Sequence, residues 1–343
     1  MKIYDTAVIV GRIQIPHKAH IELYQYAQSI AKQTLIVIGS VNSPRTTKNP
    51  FTFIERGNML MDSIKHSWHD KSNTNEVIIR GIEDRRYNLN QWVTNLRTII
   101  NANSDGDCVL VGHHKDASSY YLDLFPEMGY AEFENVDDLN SSDIRDELFE
   151  NRLVMDELPY GSKRFLQEFI TSDEYKDTFE YLKEEYNFIK NYKEQWMNVP
   201  HSVIFNTVDA VVICMGHILL IERKHAPGRG LWALPGGFVN PNETLEDSMM
   251  RELWEETKIK VPKAVIRGNI KYRDVFDDPG RSARGRTITT AYLIELKEKS
   301  LPHVKGSDDA VNAFWKPLNE VFSSRVMMYE DHIDIIYKMT GGI

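Results

Sequence analysis

The stretch Gly237–Ile259, GFVNPNETLEDSMMRELWEETKI, decides the fold of the C-terminal part of the chain. Thr244, followed three residues later by Asp247, has the pattern of a capping box and predicts the start of a helix. Apolar residues then recur at helical spacing and predict its buried stripe: Leu245, Met249 and Leu253. The sequence therefore predicts a helix from Thr244 to Thr257 with one face against a core.

Three glutamates share another face of this helix: Glu252, Glu255 and Glu256. Carboxylates at this spacing repel one another, and a bound divalent cation would remove the repulsion. Oxygen ligands suit Mg²⁺ or Mn²⁺, so we expect these three residues to be metal ligands. Arg251 is expected to hold the carboxylates in place. The run Leu234–Gly237 predicts a tight turn that presents backbone amides beside them.

The complete spaced pattern is more specific evidence for a function than its glutamates are alone. Taken alone, Glu255 and Glu256 would indicate only a solvated acidic face. Together with Gly237, Glu243 and the run Arg251–Leu253, however, they resemble the Nudix box at eight of its nine specified positions. The resemblance implies metal-dependent cleavage of a pyrophosphate, with Glu255 and Glu256 among the catalytic residues. Lys258 departs from the pattern, because the family has there a glycine suited to a left-handed residue after the helix.

Two flanking segments point to a substrate. The first, residues 278–286, carries three arginines, which suit bidentate phosphate binding: Arg281, Arg284 and Arg286. With residues 307–310 and Trp315 it resembles the ADP-ribose-hydrolysing branch of the Nudix family. The resemblance implies that these arginines and Gly237 bind ADP-ribose, and that Asp308 or Asp309, with Asp309 preferred, is the general base. The alternative interpretation is a charged hairpin loop and an acidic turn.

The first 150 or so residues have a different pattern, in which short Val- and Ile-rich strands alternate with helices. The predicted strands are Ala7–Val10, Thr34–Ile38, Val77–Ile79 and Val109–Val111. Helices are predicted between them, for example at Ala19–Ala31 and Asn90–Asn101. This alternation is typical of a parallel, doubly wound α/β sheet. In such a Rossmann-like domain, ligands bind beyond the carboxyl ends of the strands.

The segment 11–20, GRIQIPHKAH, follows the first predicted strand. His17 and His20 could both face a phosphate at the N-terminus of the next helix. The segment resembles the signature of adenylyltransferases, with departures at Ile13, Pro16 and Ala19. Residues 140–145, NSSDIR, resemble a later element of the same family. The resemblance implies catalytic roles for His17, His20 and Arg145. It implies an ATP site formed by Gly11, Arg12, His17, His20, Ser141, Ser142 and Arg145.

Two further segments, residues 49–56 and 87–93, resemble archaeal-type nicotinamide mononucleotide (NMN) adenylyltransferases. The resemblance implies an NMN site formed by Asn49, Phe51, Asn88 and Trp92. The Trp92 ring would stack on the nicotinamide, and its alternative is core packing. A histidine pair, His113 and His114, follows the fourth predicted strand, and we assign it no role.

The domain boundary is predicted near Pro200. Residues 161–196 show helical periodicity, so residues 155–198 are expected to close a first domain, 1–198, with helices. The second domain, 199–343, is expected to be a Nudix α/β/α sandwich with a mixed sheet. Its predicted strands are Ser202–Asn206, Ala210–Met215, His217–Glu222, Asn269–Tyr272 and Thr287–Glu295.

Composition narrows the class of protein. The chain has 343 residues, 42% hydrophobic and 27% charged, which are ordinary values for a globular protein of two domains. The formal charge of -9 argues against a nucleic-acid-binding surface. The two cysteines, Cys108 and Cys214, lie in apolar runs and are expected to be reduced. We expect no membrane span and a cytoplasmic location. A homo-oligomer is left open.

Together the two halves resemble bifunctional NMN adenylyltransferase/Nudix hydrolases. The resemblance implies that NMN and ATP give NAD and pyrophosphate at one site, and that ADP-ribose gives AMP and ribose 5-phosphate at the other. Mg²⁺ or Mn²⁺ would serve both domains, with ATP as co-substrate. Two alternatives stay open: a Nudix-like regulator that only senses ADP-ribose, and a nucleotidyltransferase for another substrate, such as nicotinate mononucleotide.

Overall fold

A computed structural model describes residues 3–67, 76–104, 106–112, 124–133, 139–152 and 155–341. The chain divides into two compact units, Met1–Lys183 and Glu184–Ile343. His113 and His114 lie outside the described residues.

The first unit contains a sheet of five parallel strands in the order β3-β2-β1-β4-β5. The strands are β1 Tyr4–Gly11, β2 Ala31–Ile38, β3 Glu76–Gly81, β4 Cys108–Gly112 and β5 Gly129–Glu132. The predicted Rossmann-like sheet and its first four strands are confirmed. The sequence did not predict β5, because this edge strand is short and largely exposed and lacks an apolar run.

The helices of this part of the chain are α1 Lys18–Ile30, α2 Phe53–Ser67, α3 Leu89–Asn103, α4 Ser141–Phe149, α5 Tyr160–Thr171 and α6 Lys176–Glu194. Helices α1 and α2 pack on one face of the sheet and α3 packs on the other. Successive residues of β1 point to opposite faces, so Ala7 and Ile9 join one core while Val8 joins the other. Burial on both faces explains why the strands read as continuous apolar runs.

The strand order places a binding crevice at the end of β1. The chain passes from β1 to β2 on one side, and the next strand on the other side of β1 is β4. In a doubly wound sheet, the crevice outside the carboxyl ends of two such strands is the usual ligand position. Gly11 is the last residue of β1, so the predicted histidine loop begins at this crevice.

The second unit contains a mixed sheet in the order β10-β11-β6-β7-β12, with β8 paired to β7 and β9 to β6. The strands are β6 Phe205–Cys214, β7 His217–Arg223, β8 Trp232–Ala233, β9 Gly236–Phe238, β10 Ile270–Phe276, β11 Thr287–Leu296 and β12 Ala310–Pro317. Separate strands were predicted at Ser202–Asn206 and Ala210–Met215. They are corrected to the single strand β6, because its ten residues keep one parallel register with β11.

The helices of this unit are α7 Leu245–Thr257, α8 Lys263–Gly268, α9 Leu318–Ser323 and α10 His332–Thr340. The predicted Nudix helix is α7, and its Met249 and Leu253 pack in one core with Val208 and Tyr292. The division between the units falls within α6, so residues 184–194 belong to the second unit. Among the described residues, none of the helices has the length and apolar character needed to cross a membrane.

Candidate functional sites

The loop that follows β1 is held through its backbone by a buried arginine. Arg56 of α2 has no exposed surface. Its guanidinium donates to four carbonyl oxygens, those of Arg12, Gly39 (2.8 Å), Ser40 (3.3 Å) and, through Nε, Thr52 (3.3 Å). Burial lowers the pKa of Arg56 to about 10, so the guanidinium stays charged at neutral pH. Arg56 therefore fixes the ends of β1 and β2 relative to each other.

The N-terminus of α4 holds the same loop from another side. Arg145 donates through Nη1 to the carbonyl oxygen of Gln14 and through Nη2 to Ser142 Oγ at 3.0 Å. Ser141 Oγ donates to the carbonyl oxygen of Ile15 at 3.1 Å. The fold thus brings together two of the predicted ATP-binding segments, which lie 126 residues apart at this contact.

Positive charge collects around this loop. Burial, and secondly the Arg12 charge, lower the pKa of both Arg56 and Arg145. Arg12 itself is exposed. Arg12 is thus close enough to both buried guanidiniums to perturb their pKa values, and this group of cations favours an anionic ligand such as a polyphosphate.

His17 and His20 meet at the N-terminus of α1. The Nδ1 atom of His20 accepts a hydrogen bond from the backbone N–H of His17 at 3.2 Å. The two ring centroids are 3.8 Å apart. Burial, with His17 nearby, lowers the pKa of His20 well below its ordinary value, so this ring is neutral at pH 7. Because Nδ1 accepts, the proton is on Nε2, which can donate to a phosphate oxygen.

The residues predicted to bind NMN lie in two segments, one just before α2 and one at the start of α3. Asn88 caps α3, since its Oδ1 accepts a hydrogen bond from the Gln91 N–H at 3.1 Å. Trp92 is half-buried, one turn further along α3, and packs against the core that contains Leu96. Asn49 has a buried Oδ1 that makes no hydrogen bond within the described part of the chain. Their roles in NMN binding stay predictions.

The predicted contact between the Phe51 ring and NMN needs correction. This ring is 2% exposed and makes edge contacts with Phe165 and Phe169 of α5. Gln14 binds the Phe51 backbone at both its N–H (3.2 Å) and its carbonyl oxygen (3.0 Å). The Phe51 ring is therefore a core group packed on α5.

In the second unit, Arg251 holds three carboxylates: Glu252 and Glu255 of the predicted cluster, and Glu243 in place of Glu256. Its Nε donates to Glu243 at 2.9 Å. Its Nη1 donates to Glu252 at 2.8 Å and to Glu255 at 3.0 Å. The pKa of Glu243 is lowered to about 2, above all by its hydrogen bond to Arg251. One guanidinium thus fixes the orientation of the glutamates on this face of α7.

Glu256 is held by the predicted turn. It is 4% exposed, and its Oε2 accepts a hydrogen bond from the Gly236 N–H at 2.9 Å. Burial, together with the Glu252 charge, raises the pKa of Glu256 to about 8. Burial likewise raises the pKa of Glu252. Burial therefore disfavours the charged form of both carboxylates. A bound cation would compensate for this cost, which fits a cation site.

The three glutamates carry the oxygen ligands that a divalent cation prefers. In the described residues, no three His, Cys, Asp or Glu side chains converge on one metal position. Arg251 Nη1 binds both Glu252 and Glu255, which keeps these two carboxylates oriented toward the guanidinium. A Cβ at Gly237 would lie 2.5 Å from Glu252 Oε1, so only glycine leaves this carboxylate its space. The ligand set Glu252, Glu255 and Glu256 stays a prediction.

Lys258, the departure from the Nudix pattern, adopts the backbone conformation that the family's glycine would adopt. Its φ is 44° and its ψ is 34°, in the left-handed region, and its N–H closes the helix on the Trp254 carbonyl. The ammonium lies 3.8 Å from the centroid of the Trp254 ring. The change to lysine therefore leaves the loop geometry intact.

The three arginines predicted to bind ADP-ribose have different surroundings. Arg281 is buried and forms a two-fold ion pair with Asp331, at 2.9 and 3.0 Å. This pair assigns Arg281 to the core, which corrects the prediction of a ligand contact. Arg284 lies 5.0 Å from the centroid of Phe238, and its buried Nε makes no hydrogen bond within the described residues. Arg286 donates to the Asp277 carbonyl oxygen.

The acidic turn before β12 lies beside the glutamates. The Asp309 charge raises the pKa of Glu256, and the Asp308 charge raises that of Glu252. The Ser307 N–H donates to the Glu256 carbonyl oxygen at 3.1 Å. Asp309 is 75% exposed, so solvent reaches it. The position fits the predicted base, which stays a prediction.

Two residues near this site were not predicted. Arg223 ends β7, stacks on Tyr329 at 4.1 Å, and lowers the pKa of Glu256 through its charge. His332 is buried and accepts a hydrogen bond through Nδ1 from the Leu234 N–H at 2.9 Å, which supports the turn beside α7. The sequence around Arg223 or His332 does not indicate these roles, because each residue contacts a segment that is distant in the chain or across the sheet.

Comparison with known proteins covers both units. The family model described as Cytidylyltransferase-like matches residues 8–147, and that of the NUDIX domain matches residues 205–339. The nicotinamide/nicotinic acid mononucleotide adenylyltransferase of Acinetobacter baylyi is 33% identical over 50% of this chain and 90% of its own length. The ADP-ribose pyrophosphatase of Methanocaldococcus jannaschii is 36% identical over 33% of this chain and 62% of its own length.

Solved structures extend the match to the whole chain. The crystal structure of a bifunctional NMN adenylyltransferase/ADP ribose pyrophosphatase from Francisella tularensis has 32% sequence identity and a TM-score of 0.92. The match covers 98% of this chain and 99% of that chain. A second structure of such an enzyme from that organism, complexed with AMP and a Mn ion, gives a TM-score of 0.91. The chain therefore belongs to the family of bifunctional NMN adenylyltransferase/ADP-ribose pyrophosphatases.

Proposed function

We propose that the chain is a bifunctional enzyme of NAD metabolism. The first unit would join NMN and ATP to give NAD and pyrophosphate, and the second would hydrolyse ADP-ribose to AMP and ribose 5-phosphate. One observation carries the proposal: the match to the bifunctional Francisella tularensis enzyme covers 98% of this chain and therefore includes both candidate sites.

The adenylyl transfer would be an in-line displacement. A phosphate oxygen of NMN attacks the α-phosphorus of ATP, the bond from that phosphorus to the bridging oxygen breaks, and pyrophosphate leaves. Positioning and charge neutralisation dominate such reactions. His20 would donate a hydrogen bond from its Nε2–H to a phosphate oxygen, while His17 and Arg12 would face the same anion. Arg145 would act on the triphosphate and, through Gln14, on the loop that carries these residues.

The hydrolysis would use the carboxylates of α7. Water attacks one phosphorus of ADP-ribose, and the bond to the bridging oxygen breaks to release AMP and ribose 5-phosphate. When bound, Mg²⁺ or Mn²⁺ would neutralise charge on the pyrophosphate oxygens. Glu252, Glu255 and Glu256 would hold it, Asp309 would accept the proton of the attacking water, and Arg284 would bind the substrate.

Nicotinic acid mononucleotide is a second candidate substrate for the first unit. The relative from Acinetobacter baylyi is named for both the nicotinamide and the nicotinic acid nucleotide, and it is 33% identical to this chain. The two nucleotides differ by an amide and a carboxylate, so the arginines around the crevice could accept either.

The alternative of a sensor that binds ADP-ribose without turnover is disfavoured. A sensor does not need the hydrolytic carboxylates, whereas here Glu252 and Glu255 are present and both are oriented by Arg251. Glu256 is likewise held by the Gly236 amide.

Product analysis tests both reactions. The protein is incubated with Mg²⁺ and, in separate samples, with NMN plus ATP, with nicotinic acid mononucleotide plus ATP, and with ADP-ribose, and the products are separated by chromatography. We expect NAD from the first sample and AMP with ribose 5-phosphate from the third. Absence of NAD would reject the first activity, and absence of AMP would reject the second.

Paired variants assign each reaction to its site. His20→Ala should abolish NAD formation and leave ADP-ribose hydrolysis unchanged, while Glu255→Gln should have the opposite effect. A loss of both activities in either variant would contradict the assignment of one reaction to each site.

A further inference from the structure

The C-terminal half of α6 contributes a buried carboxylate to the second unit. Glu185 is 6% exposed, and its Oε2 accepts a hydrogen bond from the Gly228 N–H at 2.6 Å. The N–H of Arg229 also donates to this carboxylate. Burying a carboxylate is costly unless hydrogen bonds satisfy it, so the two amides account for its position. In turn, Glu185 ties down the loop between β7 and β8, residues 224–231.

The other side of this loop is pressed against an aromatic ring. Gly228 has a φ of +83°, a conformation that favours glycine. A Cβ at this position would lie 2.3 Å from Cδ2 of Tyr329. The loop is therefore confined between Glu185 and the Tyr329 ring.

The confined loop holds Arg223, the last residue of β7. The carbonyl oxygen of Pro227 accepts a hydrogen bond from Arg223 Nε at 2.9 Å. The Gly230 N–H donates to the Arg223 carbonyl oxygen at 2.8 Å. The guanidinium also lies over the Tyr329 ring, 4.1 Å from its centroid. These contacts fix the direction of the Arg223 guanidinium.

Arg223 lies beside the acidic turn that borders the candidate metal cluster. It pairs with Ala310 of β12, and the N–H of the next residue, Lys224, donates to the Asp309 carbonyl oxygen at 2.9 Å. The Ser307 N–H of the same turn donates to the carbonyl oxygen of Glu256 in that cluster at 3.1 Å. A pyrophosphate bound at that cluster would add negative charge on the same side. Arg223 therefore stands where a cation could stabilise the reacting phosphates.

We propose that Glu185 is a positioning residue for the pyrophosphatase reaction. It fixes the 224–231 loop so that the Arg223 guanidinium faces the glutamate cluster and the pyrophosphate bound there. The inference rests on the proposed hydrolysis of ADP-ribose and deepens it, because it adds to the site a residue from α6, a helix predicted to close only the first domain.

A double-mutant cycle in the full chain tests the coupling. We expect Glu185→Ala to lower kcat for ADP-ribose hydrolysis on the order of tenfold, the usual scale for a residue that supports a reacting group. If Glu185 acts through Arg223, the variant with both Glu185→Ala and Arg223→Ala is no slower than Arg223→Ala alone. Independent effects that multiply, or a wild-type rate for Glu185→Ala, would overturn the proposal.

Glu184→Ala is the matched control. Glu184 is adjacent in α6 and forms an exposed ion pair with Arg229 on the same loop at 3.0 Å. Exposed pairs contribute little, so this variant should keep the wild-type rate. A loss equal to that of Glu185→Ala would show that any change in this helix impairs the site, and would overturn the proposal.

Hydrogen exchange gives a readout that does not depend on substrate. Peptides covering residues 224–231 should exchange faster in Glu185→Ala and at the wild-type rate in Glu184→Ala. Glu185→Gln keeps an acceptor oxygen, so it should recover most of the lost rate and of the protection. Glu185→Met, which fills the buried volume without an acceptor, replaces the alanine variant in the cycle if that variant does not fold. Unchanged exchange would overturn the inference, whereas absence of ADP-ribose hydrolysis in the wild type would reject the proposed function alone.

Discussion

The two candidate sites use arginine in opposite ways. In the first unit, Arg56 and Arg145 are buried and donate to backbone carbonyls of the loop after β1. In the second, Arg251 donates to side-chain carboxylates, at most eight residues away, on or just before its own helix. A phosphate-binding loop needs its backbone shape fixed, and the required donors come from distant elements. A helix already has a fixed backbone, so a local arginine is enough to orient its side chains.

The largest effect is expected from Glu256→Gln, which replaces one predicted metal-binding carboxylate by an amide of the same size. ADP-ribose hydrolysis should fall by roughly 10³-fold, more than the 10–100-fold typical of residues around a metal ligand. Steady-state rates with Mg²⁺ measure this, and NAD formation by the same sample serves as the control. A loss below tenfold would remove Glu256 from the reacting set.

His17→Ala tests the first site in the same manner. NAD formation should fall by roughly 10²-fold, the scale of losing one group that stabilises developing charge. Lys18→Ala, at the exposed neighbouring position, should keep the wild-type rate. An equal loss in both variants would mean that the start of α1, and not the imidazole, is needed.

Removing Arg56 tests whether the loop after β1 depends on an arginine from a distant element. Arg56→Met leaves buried carbonyls, including that of Gly39, without their donor, and each such group costs about 1–3 kcal/mol. We expect the free energy of unfolding of the first unit to fall by about 3 kcal/mol. Urea denaturation followed by circular dichroism measures it.

Arg80→Met is the control for this variant, because Arg80 is exposed and, within the described part of the chain, donates only to the neighbouring Ile79 carbonyl. Its free energy of unfolding should match the wild type. An equal loss in the two variants would contradict the assigned role of Arg56.

Gly237→Ala tests the space around the local cluster. The added Cβ would lie 2.5 Å from Glu252 Oε1 and displace that carboxylate. ADP-ribose hydrolysis should fall by about tenfold with the fold retained. Gly268→Ala, where a Cβ meets nothing within 4 Å, should be neutral. Wild-type kinetics in Gly237→Ala would show that Glu252 has room to move.

The smallest effect is expected at Lys258. A left-handed conformation costs a non-glycine residue about 1–2 kcal/mol, while the contact of this lysine with Trp254 returns about 0.5–1 kcal/mol. Lys258→Gly should therefore raise the free energy of unfolding by about 0.5 kcal/mol, with hydrolysis unchanged. Chemical denaturation measures the difference, and a destabilised variant would show that the Trp254 contact dominates.

The sequence by itself determined those features whose partners are close in the chain. The helix α7, its cap at Thr244, the buried stripe and the role of Arg251 follow from spacing, because a helix converts sequence separation directly into position. Strands β1 to β4 followed from their apolar runs, since a parallel sheet buries both faces. The histidine pair could be located for the same reason, at the turn between a strand and a helix.

Only the tertiary structure decided where long-range partners meet. Phe51 and Arg281 were predicted at ligands, but Phe51 packs on α5 and Arg281 pairs with Asp331, fifty residues away. The supports supplied by Arg56, Glu185 and His332 have no local pattern, because a buried polar group needs a partner in space, whatever its distance along the chain. Each buried polar group needs a hydrogen-bond partner inside the fold. This need therefore determined which charged residues line the sites and which ones hold the sites in place.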